Sequence, residues 1–325
     1  MSTESTQPAV PDIDEVFRAR VNEIYDAWHR NDIPFVDASR QLESLRQEAI
    51  AEENPVNEAG IYNILGIMHG YRSKYENSII NFDRARQIYE ENGATRRLAT
   101  VDLNLGETYR LLGNFTRAKT YFHRAYEEAS ALGNIALQVT AITNEGQIWF
   151  SLKSYDKARE TLTQALDISI NQWKPEDERE EINRADNACE IHHALVGVAL
   201  EDNDLEEAWD HAAKAYENAE FSGRIVRMGY ANRALGDVIT RLGQSPSPDF
   251  NSDVDYYYSE ALSAFKQVKA EGEVAKTLLA QGQSLAIRGK KRSAGNKYQQ
   301  AMVIFTRLGM MDFAAEAAEA QTKII

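Results

Sequence analysis

Leu103-Asn-Leu-Gly106, followed by Ala118, Phe122 and Ala125, is the stretch that decides how this chain folds. The same order recurs on either side of it. Asn63-Ile-Leu-Gly66 precedes Ser78, Phe82 and Ala85, and Thr143-Asn-Glu-Gly146 precedes Ala158, Leu162 and Ala165. In each copy the glycine precedes a small residue by 12 positions, a large apolar one by 16 and an alanine by 19, and the glycines stand 40 residues apart. A fixed period of this size marks a repeat architecture, in which each unit buries its apolar face only by stacking on its neighbours. At the same offsets, Asp26 precedes Ala38, Leu42 and Leu45, and Val196 precedes Ala208, Ala212 and Ala215. Gly236 begins a copy that ends on Tyr258 and Ala261, and Gly282 precedes Ala294, Tyr298 and Ala301, which makes seven copies.

Two longer steps read as insertions. Between Gly146 and Val196 the surplus falls in residues 171–181, a Trp-Lys-Pro-acidic stretch, and between Gly236 and Gly282 it falls in residues 244–253, whose Ser-Pro-Ser-Pro-Asp core breaks a helix. Both are expected to be exposed loops. Turn signals separate the halves of each copy, such as Leu112-Gly-Asn114, Lys153-Ser154 and Asp202-Asn-Asp204. Others, such as Asn92-Gly93, Leu132-Gly-Asn134, Ser222-Gly223 and Leu308-Gly309, separate one copy from the next. Each copy therefore reads as two helices, and the small residues mark where their backbones approach closely enough for larger neighbours to interlock.

Small, then large apolar, then alanine at these offsets resembles the tetratricopeptide repeat, over a span from about Ile13 to the end. The resemblance implies an all-α fold: a right-handed α-solenoid of about seven antiparallel helix pairs, closed by a C-terminal capping helix over Met311–Ile325. The family's usual period is about 34 residues, so the longer period here implies roughly one extra helical turn per pair. This is similar to the long-helix branch found in kinesin light chains, bacterial peptide-receptor regulators and the sensor domains of large transcriptional activators. The proline that usually follows the second helix is absent, and glycine sets the connections instead.

Composition agrees with a helical binding protein. Of 325 residues, 43% are hydrophobic, 26% are charged and only 7 are proline, which leaves long stretches free to be helical. The 50 acidic and 36 basic side chains give a net charge of -14, which argues against nucleic-acid or anionic-membrane partners and favours a basic protein or peptide. The single cysteine, Cys189, can form no internal disulfide and reads as a small buried hydrophobe. No apolar run is long enough to span a bilayer, and the polar start lacks the order of a signal peptide, so a cytoplasmic location is expected. Residues 1–12 are expected to be a disordered tail ahead of a solenoid over residues 13–325.

No phosphate loop, nucleophile elbow or metalloprotease motif is present, so neither catalysis nor a cofactor is expected. No metal site is expected either, because His192 and His193, adjacent on a helix, point about 100° apart. The family resemblance implies that the first helix of each pair lines the concave ligand surface, with an asparagine two residues before the glycine bonding a peptide backbone. Asn104 and Asn144 match that position, whereas Ile64, Ala194, Ala234 and Ala280 occupy it in other copies. A carboxamide suits the task because it both donates and accepts. Asn63, Glu107, Arg110, Gln147, His193, Arg233 and Asp237, with Arg241 nearby, complete a mixed polar lining on the same face. Tyr258 belongs to the core by repeat position, while Tyr256 and Tyr257 are candidates for a surface patch or for packing under the 244–253 loop. The chain thus reads as a protein- or peptide-binding adaptor. A ligand-responsive sensor and a self-associating structural protein are the alternatives, and the repeat itself does not specify an oligomeric state.

Overall fold

The computed structural model describes residues 12–29, 32–72 and 74–324, and the segment expected to be disordered falls, but for Asp12, outside them. Fifteen α-helices are found among the described residues. They form two compact units, up to residue 141 and from residue 142. The first unit holds α1 (Glu15–His29), α2 (Phe35–Ala51), α3 (Pro55–Tyr71), α4 (Tyr75–Glu91), α5 (Thr95–Leu111), α6 (Phe115–Ala131) and the start of α7 (Ile135–Ser151). The second holds the rest of α7 and α8 (Tyr155–Asp167), α9 (Glu178–Glu201), α10 (Leu205–Ser222), α11 (Ile225–Leu242), α12 (Val254–Gln267), α13 (Glu271–Ile287), α14 (Lys291–Leu308) and α15 (Met311–Lys323). Within each unit the helices pack in consecutive pairs, and the first helix of a pair also touches the first helix of the next, as α3 does α5 and α9 does α11. This is an all-α solenoid of the expected repeats.

The repeat's offsets are explained by a single contact. A residue 16 positions after the glycine lies on the second helix of the pair, and its side chain rests directly on the glycine's Cα. A Cβ built on Gly66 would sit 2.5 Å from the Phe82 ring, and one on Gly146 would sit 2.7 Å from Leu162. On Gly106 it would run into the ring of Phe122, and on Gly282 it would lie 2.5 Å from Tyr298. Phe82, Phe122 and Leu162 are all buried as a result, each contributing about 1.5–3 kcal/mol of apolar burial. The small residue at +12 serves the same approach, and in α4 it adds a hydrogen bond, Ser78 Oγ donating to the Gly66 carbonyl at 2.7 Å. In one of the two copies that lack glycine the volumes are exchanged. Val196 takes the glycine's place, Ala212 takes the ring's place, and both lie in one core cluster. Total volume is conserved across the crossing, which is what close packing tolerates best.

Helix ends follow the turn signals. Asn54, Asn114, Asp177 and Asp204 each accept from the backbone N–H three residues on, satisfying donors that have no partner inside the helix. After α5 the chain reverses through Gly113 at φ 74°, whereas after α7 the corresponding residue is Lys153, held at φ 57°.

The insertions leave the pairing intact. Helix α8 continues as one turn of π-helix over Ile168–Gln172, and α9 has already begun at Glu178, so most of residues 171–181 are helical. The exposed loop expected there is further reduced by Trp173, which is buried. Residues 244–253 bulge away between α11 and α12, yet Tyr258 still lands on Gly236, 3.1 Å from where a Cβ would be. The bulge is pinned by Phe250, whose ring meets Trp209 and Tyr216 of α10 edge-on at 5.2 and 5.6 Å. Tyr257 and Tyr258 are buried and Tyr256 is half exposed, so packing takes two of the three tyrosines. At the end of the chain, α15 lies on α13 and α14 through Ala314 and Ala317, and Ile324 packs against the same cluster.

The glycine contact predicts opposite outcomes for two substitutions. Gly106→Ala forces the Phe122 ring aside and is expected to destabilise the fold by about 1–3 kcal/mol. Gly70→Ala meets only the Ser78 hydroxyl at 3.4 Å and is expected to be neutral or to stabilise α3 by up to about 1 kcal/mol. Urea unfolding midpoints distinguish the two.

Candidate functional site

Because successive first helices touch, side chains about one repeat apart in sequence meet across them. In the first unit Asn104 Nδ2 donates to Asn63 Oδ1 at 3.0 Å, 41 residues away. One turn on, Arg110 grips Glu107 through two hydrogen bonds of 2.6 and 2.7 Å. The four sequence-selected residues of this unit therefore form one amide pair and one ion pair. Behind them Asp102, fully buried, accepts from Arg86 of α4 at 2.7 Å and lies 3.3 Å from Arg124 of α6. Burial lifts its carboxyl to about 6 in spite of Arg86, and burial together with the Asp102 charge lifts Glu128 to about 7.

The second unit carries a longer lining. Gln147 of α7 donates to Glu190 of α9 at 2.9 Å, and Arg227 of α11 reaches the same glutamate at 2.8 Å while bonding both oxygens of Asp186 at 3.0 Å. Further along α11, Arg233 donates to Glu273 of α13 at 2.8 Å and lies 3.5 Å from His193 of α9, and Lys276 adds a 2.8 Å bond to the same glutamate. Tyr230 stands between the two arginines, its ring centre 5.9 and 5.3 Å from their guanidinium carbons, and it packs on His193 at 5.0 Å. Asp237 accepts from Tyr258 at 2.6 Å, which ties the lining to the ring that covers Gly236. Asn144 lies on α7 and is 8% exposed, so its carboxamide is buried.

Burial and charge set the protonation states. Burial, with the Arg233 charge beside it, pushes His193 down to about 3, and burial pushes Asp237 up to about 6. Burial would also raise Glu273, but Lys276 and Arg233 outweigh it and hold the carboxylate well below its usual range. Arg227 stays fully charged because Glu190 and Asp186 overcome its desolvation. Next to His193, His192 is buried with Nδ1 3.0 Å from Nδ1 of His211, an arrangement that needs at least one neutral ring, and burial lowers it to about 4. Cys189 is buried and its thiol is pushed up to about 12, as a packing residue's would be. Among the described residues no group of three or more His, Cys, Asp or Glu is placed to hold a metal ion. None of the described helices is long and apolar enough to cross a membrane.

Of the sequence-selected residues, the structure joins Asn63 to Asn104, Glu107 to Arg110, and His193 to Arg233. Asp186, Glu190, Arg227, Tyr230, Glu273 and Lys276 were not singled out. Their signal was present as opposite charges one repeat apart: Asp186 and Arg227 are 41 residues apart, and Arg233 and Glu273 are 40.

A tetratricopeptide-repeat family model matches residues 57–127 and 97–171. Residues 57–171 therefore match the tetratricopeptide repeat. Among solved structures this chain is similar to a Rap protein complexed with competence and sporulation factor, at 14% identity and a TM-score of 0.61, covering 98% of this chain and 88% of that one. It is also similar to aspartyl phosphate phosphatase F from Bacillus subtilis, at 12% identity and a TM-score of 0.65, covering 89% and 68%. A third similar structure is the apo form of RapI, at 14% identity and a TM-score of 0.59, covering 95% and 99%. No curated protein matches the sequence significantly. At these identities the likeness is one of fold.

Two measurements test the lining. Arg227→Ala leaves Asp186 and Glu190 facing each other without their shared cation and is expected to destabilise the chain by about 3–5 kcal/mol, with strong coupling to Asp186→Ala in a double-mutant cycle. The buried histidines predict a pH effect. Their folded pKa values lie below the ordinary 6.5, so the unfolded chain binds more protons and their contribution is lost as pH falls from about 6.5 towards 4. Replacing both His192 and His193 by Asn is expected to remove part of the decline in melting temperature that the parent shows across that interval.

Proposed function

We propose that this chain is a non-catalytic cytoplasmic adaptor that binds a peptide or an extended segment of a partner protein along its first-helix face. The observation that carries this reading is the polar lining of α7, α9, α11 and α13. Gln147, Glu190, Arg227, His193, Arg233 and Glu273 form alternating donors and acceptors, held by one another on successive helices. Such a row suits a peptide, whose backbone offers a donor and an acceptor at every residue and whose side chains bring either charge. Asn63, Asn104, Glu107 and Arg110 are proposed as binding residues in the first unit, and Asn144, Gln147, His193, Arg233 and Asp237 in the second. The net charge of -14 favours a basic partner over an acidic one.

A second reading, a ligand-responsive regulator, is favoured by one specific feature. The same ion pairs that line the face also link α9 to α11 and α11 to α13. A ligand that takes over one member of a pair therefore changes how those helices pack, which is the differential contact a switch requires. The similarity to a Rap protein complexed with competence and sporulation factor supports this version.

Both readings are tested by screening the full chain against an array of short peptides of basic, neutral and acidic composition. Basic peptides are expected to be selected, and affinity for them is expected to fall about tenfold or more in Asn104→Ala/Asn144→Ala and in Gln147→Ala/Asp237→Asn. Unchanged affinity in both variants overturns the assigned face. Ligand-dependent compaction in small-angle scattering marks the regulator, and an unchanged profile with tight binding marks the adaptor.

A further inference from the structure

The opposite side of the second unit carries a separate groove between the second helices α12 and α14, floored by α13. Its volume is about 450 Å³. Leu262 of α12 and Val274 and Leu278 of α13 form its base, while Val303 and Ile304 of α14 form one wall. Val303 is 56% exposed, which is unusual for a β-branched aliphatic residue next to a well-packed core.

Two cations stand over this apolar surface, Lys266 of α12 and Lys297 of α14. Among the described residues neither has a carboxylate within ion-pairing distance, although acidic residues outnumber basic ones in the chain and most of its arginines are paired. The carboxylate of Asp255, on the same helix as Lys266, is already taken by Arg288 and Lys290. Lys297 is half-buried, and burial together with the positive charge of Lys266 lowers its pKa against the opposing charge of Asp255. The two ammonium groups thus repel each other beside an exposed aliphatic groove. An anion placed between them would relieve the repulsion, and an apolar side chain would cover the groove.

From this we infer that the α12–α14 groove docks an acidic amphipathic helix of a partner protein, its aliphatic side chains on Leu262, Leu278, Val303 and Ile304 and its carboxylates on Lys266 and Lys297. The groove lies between two helices, which is the shape an amphipathic helix fills with side chains spaced three and four residues apart. The partner's charge is the reverse of that proposed for the first-helix face, so one chain carries a face for a basic segment and a groove for an acidic one. Local complementarity must act against the overall negative charge, and binding is therefore expected to be short-ranged and salt-sensitive.

The probe is a synthetic amphipathic helix of about 16 residues, leucine on one face and glutamate along its borders, compared with a counterpart in which lysine replaces glutamate. Fluorescence anisotropy with the full chain is expected to show binding of the glutamate peptide at least about tenfold tighter than the lysine peptide. Lys266→Gln/Lys297→Gln is expected to abolish that preference, and Val303→Asp to weaken both peptides. Circular dichroism of each variant verifies that it is folded, and the surface position of the lysines keeps their replacement readable. Equal affinity for the two peptides, or a preference that survives loss of both lysines, overturns the proposal. So does sedimentation showing that the chain alone dimerises and that Val303→Asp abolishes the dimer, because a second copy would then be the occupant.

Discussion

The contact between a large side chain and a bare glycine Cα governs the rest of this structure. It holds the two helices of a pair at a distance that no Cβ permits, and it does so at Gly66, Gly106, Gly146 and Gly282. Close approach brings the alanines at +12 and +19 into the crossing, where they are completely buried in the copies that begin at Gly106 and Gly146. Within each unit, pairs set at the same spacing stack on one another in the same way, so the sequence repeat becomes a spatial one. In the Val196 copy the exchange with Ala212 keeps the summed volume across the crossing without a glycine.

A spatial period also organises the electrostatics. Residues one repeat apart on successive first helices come within hydrogen-bonding distance, so charges recurring at that offset become ion pairs. Asp186 with Arg227 and Arg233 with Glu273 are of this kind, and Asn63 with Asn104 is the neutral version. Such pairs are partly buried by the helices on either side, which makes removal of one partner costly while leaving the pair's net contribution small. Retaining them on a single face is more readily understood as preparing polar groups for a ligand than as stabilising the stack. The α12–α14 groove follows the opposite logic, with apolar side chains and like charges left without partners.

Much of the architecture was legible because packing constraints repeat. Seven copies, two interruptions and a final helix could be read from glycine, ring and alanine spacing, and the glycine at φ 74° that ends the α5 turn was visible in Leu112-Gly-Asn114. The insertions were less legible. Residues 171–181 carry proline and acidic residues that suggest a loop, yet the π-helical turn and the early start of α9 absorb most of them, and Trp173 finds a buried site. The candidate site was legible only in part. Polar residues around the glycines were visible one at a time, whereas Glu190, Arg227 and Glu273 matter through partners some 40 residues away, a relation that exists only once the helices are stacked.

Sequence alone determined the repeat, its period and the residues at each helix crossing, because those features depend on side-chain volume at fixed offsets along the chain. Tertiary structure alone decided which polar residues meet, that Tyr257 and not Tyr256 is buried, and where cations are left unpaired. Those outcomes depend on distances between helices that are remote in sequence. A lysine such as Lys297 has the same side chain in any helix, and only the neighbours that stacking brings to it, an exposed aliphatic groove and a second lysine, distinguish it from the other lysines of the surface.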